Sequence, residues 1–280
     1  MGKRGQFTLF VVIGLVALFL VGLIFYFRGD ILSFTGISNE LSYPSELQEV
    51  VDHVQECADS SSVDAVVGVG NYGGYYSLPG TSYTDEELGV AVPYYYYNGN
   101  DLMISKEYME NQLSQYVSFV FDSCVDLEQF SQYNLATTGY TVTSTINNNS
   151  VDIVIDYPIT ATIGESSYNL AVPYETSVDA NLGFVYSVAR QIVDAHVASP
   201  GEFSYTLLES FGLSSIVVTP LEDGSLIYVL TDRTSFNGEI PLTYMFAEHY
   251  ALGEAVECVE DLDCNEGYSC TNGACKEVKE

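Results

Sequence analysis

Tryptophan is absent, and only eight of the 280 residues are lysine or arginine, against 38 aspartates and glutamates. The resulting net charge of −30 repels nucleic-acid phosphates and anionic lipid headgroups, so nucleic acid is excluded as an expected partner, while cations and cationic surfaces are not. Catalytic signatures are missing too: there is no P-loop, no glycine-rich dinucleotide loop, no H-E-x-x-H and no G-x-S-x-G. The three histidines, His53, His196 and His249, stand far apart in the chain, and each has an acid beside or near it, as an acidic sequence supplies by chance. No catalytic residue, cofactor or metal ligand is therefore expected, although a hydrolase using some pair among the many acids remains a third reading.

Charge is also missing from Phe7–Phe27, a 21-residue apolar run. As a helix it would extend ~31 Å, the hydrocarbon thickness of a bilayer, which predicts one N-terminal transmembrane helix with membrane lipid as its partner. Lys3 and Arg4 precede the run, whereas Arg28 behind it is opposed by Asp30. The positive flank predicts a single-pass plasma-membrane protein with a cytoplasmic N-terminus and the bulk of the chain extracytoplasmic. The run is long and lacks a small-x-small site behind it, so it reads as an uncleaved anchor. From Asp30 onward only five basic residues face all 38 acids, a net −33 for the expected exterior part.

Beyond the anchor (1–28) and a connector (29–43), hydrophobic periodicity predicts an α+β body with amphipathic helices covering a mostly antiparallel sheet. A first helix is expected from Pro44 to about Ala58, with Leu47, Val50, Val51, Val54 and Cys57 at helical spacing and Asp59–Ser62 ending it. A second begins at the N-cap Ser105 and carries Met109, Leu113, Tyr116, Val117, Val120, Phe121 and Cys124 on one face. A third spans Asn181–Ala198. Period-two stretches predict strands at 140–146, 151–155, 159–163 and 168–177, completing an ectodomain over 44–200. Further strands at 215–220, 225–231 and 240–250 form a β-rich extension over 201–256, and a short helix is expected at 202–211.

Six cysteines in an exported chain point to disulfides. Cys57 and Cys124 each lie near the end of an amphipathic helix on its apolar side, so a bridge between them would pin the two helices together. Cys258, Cys264, Cys270 and Cys275 crowd into a tail module over 257–280, separated by five, five and four residues. So short a segment cannot bury a core, and two disulfides are expected to hold it, in any of three pairings. Zinc is the rival occupant, but no C-x₂-C knuckle is present, and Glu257, Glu260, Asp261 and Asp263 form no EF-hand loop.

The chain holds 23 tyrosines. Tyr75, Tyr76, Tyr94, Tyr95, Tyr96 and Tyr97 are the candidate binding residues, an aromatic platform for surface glycans or proteins, and packing of half of them onto the two cysteine helices is the preferred reading. Asn148-Asn-Ser150 at the expected hairpin turn is a candidate N-glycosylation acceptor.

Lys3-Arg-Gly-Gln-Phe-Thr-Leu-Phe10 resembles the class III signal segment of archaeal type IV pilins, which implies peptidase cleavage between Gly5 and Gln6 and a homo-oligomeric filament; where such proteins commonly carry Glu, this chain has Phe10. The tail resembles the small disulfide modules of the Dickkopf, colipase and EGF-like kind, which implies the pairing Cys258–Cys270 and Cys264–Cys275. From Lys3 to about Ser199 the layout of anchor, cysteine helices and tyrosine segments is similar to uncharacterised single-pass surface proteins of small-genome archaea. The functional expectation is a membrane-anchored cell-surface protein acting by contact, in adhesion, envelope scaffolding or partner recognition. A pilin-like filament subunit is the alternative.

Overall fold

The computed structural model describes residues 43–85, 89–170, 173–199 and 208–249, together with the backbone of 268–271 and 274–277. The described α-helices and strands all belong to one unit, Glu46–Glu280. Its helices are α1 (Gln48–Asn71), α2 (Lys106–Cys124) and α3 (Leu182–Ala198). The strands are β1 (Ser82–Asp85), β2 (Val90–Tyr97), β3 (Asn100–Asp101), β4 (Leu135–Thr137), β5 (Thr141–Ile146), β6 (Val151–Asp156) and β7 (Ile159–Ile163). They continue with β8 (Ser166–Asn169), β9 (Tyr174–Val178), β10 (Ser215–Pro220), β11 (Ser225–Asp232), β12 (Leu242–His249), β13 (Tyr268–Thr271) and β14 (Ala274–Glu277).

The body is α+β with mostly antiparallel sheets. Among the described residues no helix is long and apolar enough to cross a membrane, so the architecture with one N-terminal transmembrane helix is corrected to the α+β body alone. Phe7–Phe27, with Gly5 and Gln6, lies outside the described residues.

The largest sheet runs β1-β2-β12-β11-β10, with β3 folded back onto β2 through Asn98 and Gly99, both at positive φ as a tight two-residue hairpin turn requires. The 201–256 stretch therefore supplies the middle of this sheet, because β12 lies between β11 and β2 and pairs with β2 in parallel. The other sheets among the described residues are two of three strands, β5-β6-β9 and β4-β7-β8, and one of two, β13-β14.

α1 continues well beyond the expected end at Ala58. Ser62 returns its hydroxyl to the Ala58 carbonyl at 2.6 Å, so a serine cluster that looked like a break is absorbed into a buried helical stripe with Ser61, Ala65, Val66 and Val69. Ser105 caps α2 by accepting the Tyr108 amide at 3.2 Å, and Met109, Leu113, Val117 and Phe121 form its fully buried stripe. Tyr116, Val120 and Cys124, expected on that stripe, are only half-buried. Cys57 and Cys124 form a disulfide across α1 and α2, with Cα atoms 5.6 Å apart. Beneath it Phe121 meets Tyr140 and Tyr157 edge-on, at centroid distances of 5.1 and 5.7 Å. α3 lies against β2, β11 and β12.

Asp232, at the end of β11, ties the start of α3 to this sheet. It accepts from Asn181 Nδ2 at 2.9 Å and from the amide and hydroxyl of Ser235 at 2.9 and 2.6 Å, while its other oxygen accepts from Thr234. Burial acts to raise its carboxyl pKa, but these donors from Ser235, Asn181 and Thr234 outweigh it and hold the group below its ordinary value.

Both ties are open to measurement. Replacing both bridge cysteines (C57S/C124S) removes a cross-link over 67 residues and should lower the unfolding free energy by about 4 kcal/mol in urea titrations. For Asp232, whose folded pKa is depressed, the stabilisation is complete above the unfolded carboxylate value of ~3.9 and disappears as pH falls through the folded value. Asp232→Asn should therefore cost about 1–3 kcal/mol at neutral pH. The gap to wild type should narrow in strong acid, and a gap independent of pH in thermal melts would refute the assignment.

Candidate functional site

The tetra-tyrosine run does not act as one platform. β2 and β12 are in register at Ala247↔Tyr94 and then at Glu248↔Tyr96 and His249↔Tyr97, so Tyr95 is the extra residue of a bulge. That insertion shifts the alternation, and it sends Tyr94 and Tyr97 to one side of the sheet and Tyr95 and Tyr96 to the other.

On the helix side, Tyr95 is fully buried, stacked on Phe246 at 4.8 Å, and its hydroxyl donates to the Gly73 carbonyl at 2.7 Å. The Tyr244 hydroxyl then donates to Tyr95, and burial drives both phenols well above their ordinary pKa. His196 of α3 and Glu248 of β12 meet on this side, Nδ1 to Oε2 at 2.7 Å, both buried. On the opposite side, Tyr94 packs with Val92, Ile227 and Ala247, and Tyr97 stacks on His249 at 4.9 Å.

Ser225, His249 and Asp223 invite comparison with an acyl-transfer triad. Ser225 Oγ lies 3.0 Å from His249 Nδ1, but it is fully buried and is also held by the Tyr94 hydroxyl at 3.0 Å. Asp223 accepts the Ser225 amide at 2.9 Å instead of orienting the imidazole. The arrangement is a structural network closing the β10–β11 turn. His53 meets Gln129 and Phe130 elsewhere, and among the described residues no group of three or more His, Cys, Asp or Glu is placed to hold a metal ion.

Exposed aromatic surface gathers at a different place, where the end of α1, the segment after it and α2 converge. Gln112 of α2 accepts the amides of Tyr76 and Ser77 at 3.1 and 3.4 Å, which docks the segment on the helix. The Tyr76 ring then lies between Tyr116 and Phe119, at centroid distances of 5.1 and 5.9 Å and plane tilts of 40° and 39°. Phe119 is 61% exposed and Tyr72, beside this group, 41%. Asp64 and Tyr72 stand four residues either side of Gly68, against which the Tyr116 ring lies, and burial first, then these two groups, raise the Tyr116 phenol above its ordinary value. Gly68 provides its seat: a Cβ there would meet the Tyr116 ring at 2.1 Å.

Of the expected binding residues, only Tyr76 belongs to this strip. Tyr75 is buried against Tyr108, its phenol pushed up to about 12 by burial and by that neighbour. Phe119 was detectable in the sequence, because it falls off the 109/113/117/121 stripe and places a large apolar ring on the polar face of α2. Asn148 is exposed at the β5–β6 turn, its carbonyl accepting from Phe184. Cys270 and Cys275 stand opposite each other in the β13–β14 pair, whereas Cys258 and Cys264 lie outside the described residues.

Gly68→Ala should improve the helix backbone by up to ~1 kcal/mol while displacing the Tyr116 ring. The expected result is a melting temperature changed by only a few degrees, with loss of the Tyr76–Tyr116 ring contact in NMR cross-relaxation spectra; an unchanged contact would show that glycine is not what seats the ring.

No protein-family model, no curated protein and no solved structure matches this chain.

Proposed function

We propose that this is an extracytoplasmic protein that acts by contact, recognising another molecule at a surface, in adhesion, envelope scaffolding or partner recognition. The observation that carries the reading is the strip of Tyr72, Tyr76, Tyr116 and Phe119, in which a phenylalanine 61% exposed is held in tilted contact with Tyr76. Exposing such a ring keeps apolar area in water, and grouping it with tyrosines makes a rigid, amphipathic contact area with little side-chain entropy to lose on binding. The strip sits on a helix pair joined by a disulfide, which favours an oxidising compartment and keeps the surface preorganised. The histidine pairs support the same reading from the other direction, since His196–Glu248 and Ser225–His249 serve packing and turn closure.

Full-length protein immobilised on a sensor should retain native cell envelope prepared from the source cells, and the variant F119S/Y72S should retain it at least several-fold less. Both positions are exposed, so the variant should keep the wild-type melting temperature within a few degrees. Equal retention by a folded variant would remove the strip from the contact, and no retention by wild type would overturn the reading.

A further inference from the structure

The strip has a chemical preference built into its surroundings, and the inference drawn from it rests on the contact function just proposed. Each ring face carries the negative end of an aromatic quadrupole; the rings of Tyr116, Tyr76 and Phe119 are in tilted contact, and Phe119 and Tyr72 present ring surface to solvent. Asp64 stands on α1 one helical turn before Gly68, the residue over which the Tyr116 ring lies, and so borders this area. The chain brings few cations of its own: Lys106 is paired with Glu110 at 3.7 Å, and Arg190 with Asp101 at 2.6 Å and with Asp194. A net charge of −30 surrounds the whole.

These conditions select among partners. A second copy of the chain would bring another −30 to the interface, and nucleic acid or an anionic lipid surface would meet the same repulsion. Positive charge is drawn in by the field, and at the strip it finds π faces to lie on. Lysine and arginine are not equivalent there. The guanidinium is planar and weakly hydrated, so it stacks on a phenol or phenyl ring at a smaller desolvation cost than an ammonium, which stays hydrated as a point charge.

We propose that the strip of Tyr72, Tyr76, Tyr116 and Phe119, bordered by Asp64, is a docking site for a basic polypeptide segment whose arginine side chains stack on the rings. The field of the acidic surface brings the segment in, and the rings distinguish arginine from lysine. The charge is spread over the molecule and attracts either residue, whereas stacking is local, so the two contributions separate experimentally.

The test compares decaarginine with decalysine, equal in charge, on the full-length protein by fluorescence anisotropy. Wild type should bind decaarginine about tenfold more tightly, and that ratio should survive in ~0.5 M salt, where the Debye length shrinks and both affinities fall. F119S/Y72S, and separately Y76S, should bring the ratio close to one while leaving decalysine affinity unchanged. A ratio near one in wild type overturns the proposal, as does a ratio unaffected in both variants. Chitohexaose is the neutral control: if it binds the protein and the same substitutions abolish that binding while sparing the peptides, the strip is a glycan surface and the proposal falls. Envelope retention that depends on the strip but comes with no arginine preference would preserve the contact reading and reject only the basic ligand.

Discussion

The approach of α1 to α2 is the constraint on which the remainder of the body depends. Residues Cys57 and Cys124 fix it covalently at one end, and Gly68 permits it at the other by leaving room for the Tyr116 ring. Between these points the apolar stripes of both helices close over fully buried Ala58, Ala65, Val117 and Phe121. Two further glycines bring the end of α1 onto the large sheet: a Cβ at Gly70 would strike the Thr243 carbonyl at 2.6 Å, and one at Gly73 the Met245 carbonyl at 2.3 Å. The helix thus acts as a spacer with one clamped end and one end that must be bare to fit. Everything exposed at the bare end, the aromatic strip included, takes its geometry from that fit.

The bulge in β2 does for the sheet what the glycines do for the helix. With strict alternation, the four consecutive tyrosines would divide as 94 and 96 against 95 and 97. The extra residue instead groups Tyr95 and Tyr96 beneath the helices and Tyr94 and Tyr97 around His249. Each side gains a compact polar and aromatic cluster: the Tyr95 and Tyr244 phenols with the Gly73 carbonyl on one, and Tyr94, Ser225 and His249 on the other. Phenols suit this role because the ring fills volume while the hydroxyl satisfies buried polar groups that an apolar residue would leave unpaired.

Much of this was legible in the sequence and some was not, for identifiable reasons. The period of Met109, Leu113, Val117 and Phe121 and the cap at Ser105 specify α2 locally, so its start and the centre of its buried stripe could be read directly, whereas Tyr116, Val120 and Cys124, expected on the stripe too, are only half-buried. Strands β7 and β10 were readable to the residue from their apolar runs and flanking turns. The length of α1 was hidden, since Asp59–Ser62 look like a terminator until the carbonyl that accepts Ser62 and the partners that need Gly68 and Gly70 are in place. The parallel pairing of β2 with β12 joins segments about 150 residues apart and leaves no local trace. The tyrosines were recognised as a group but could not be sorted, because a bulge is a relation between two strands. The transmembrane architecture inferred from an apolar run was not matched by any described helix, and hydropathy alone carried that inference.

The position of β12 between β2 and β11 sets an order of assembly. Synthesis proceeds from the N-terminus, so β1, β2 and the helix pair exist before the strand that joins them to β10–β11 has been made. Until residue 249 emerges, β2 presents an open edge and the hairpin has nothing to dock on, and the long sequence separation of that last pairing makes it the slow step. The dense negative charge then has a use besides recognition: half-made chains repel one another, and strand edges left waiting for a late partner are kept from finding the wrong one.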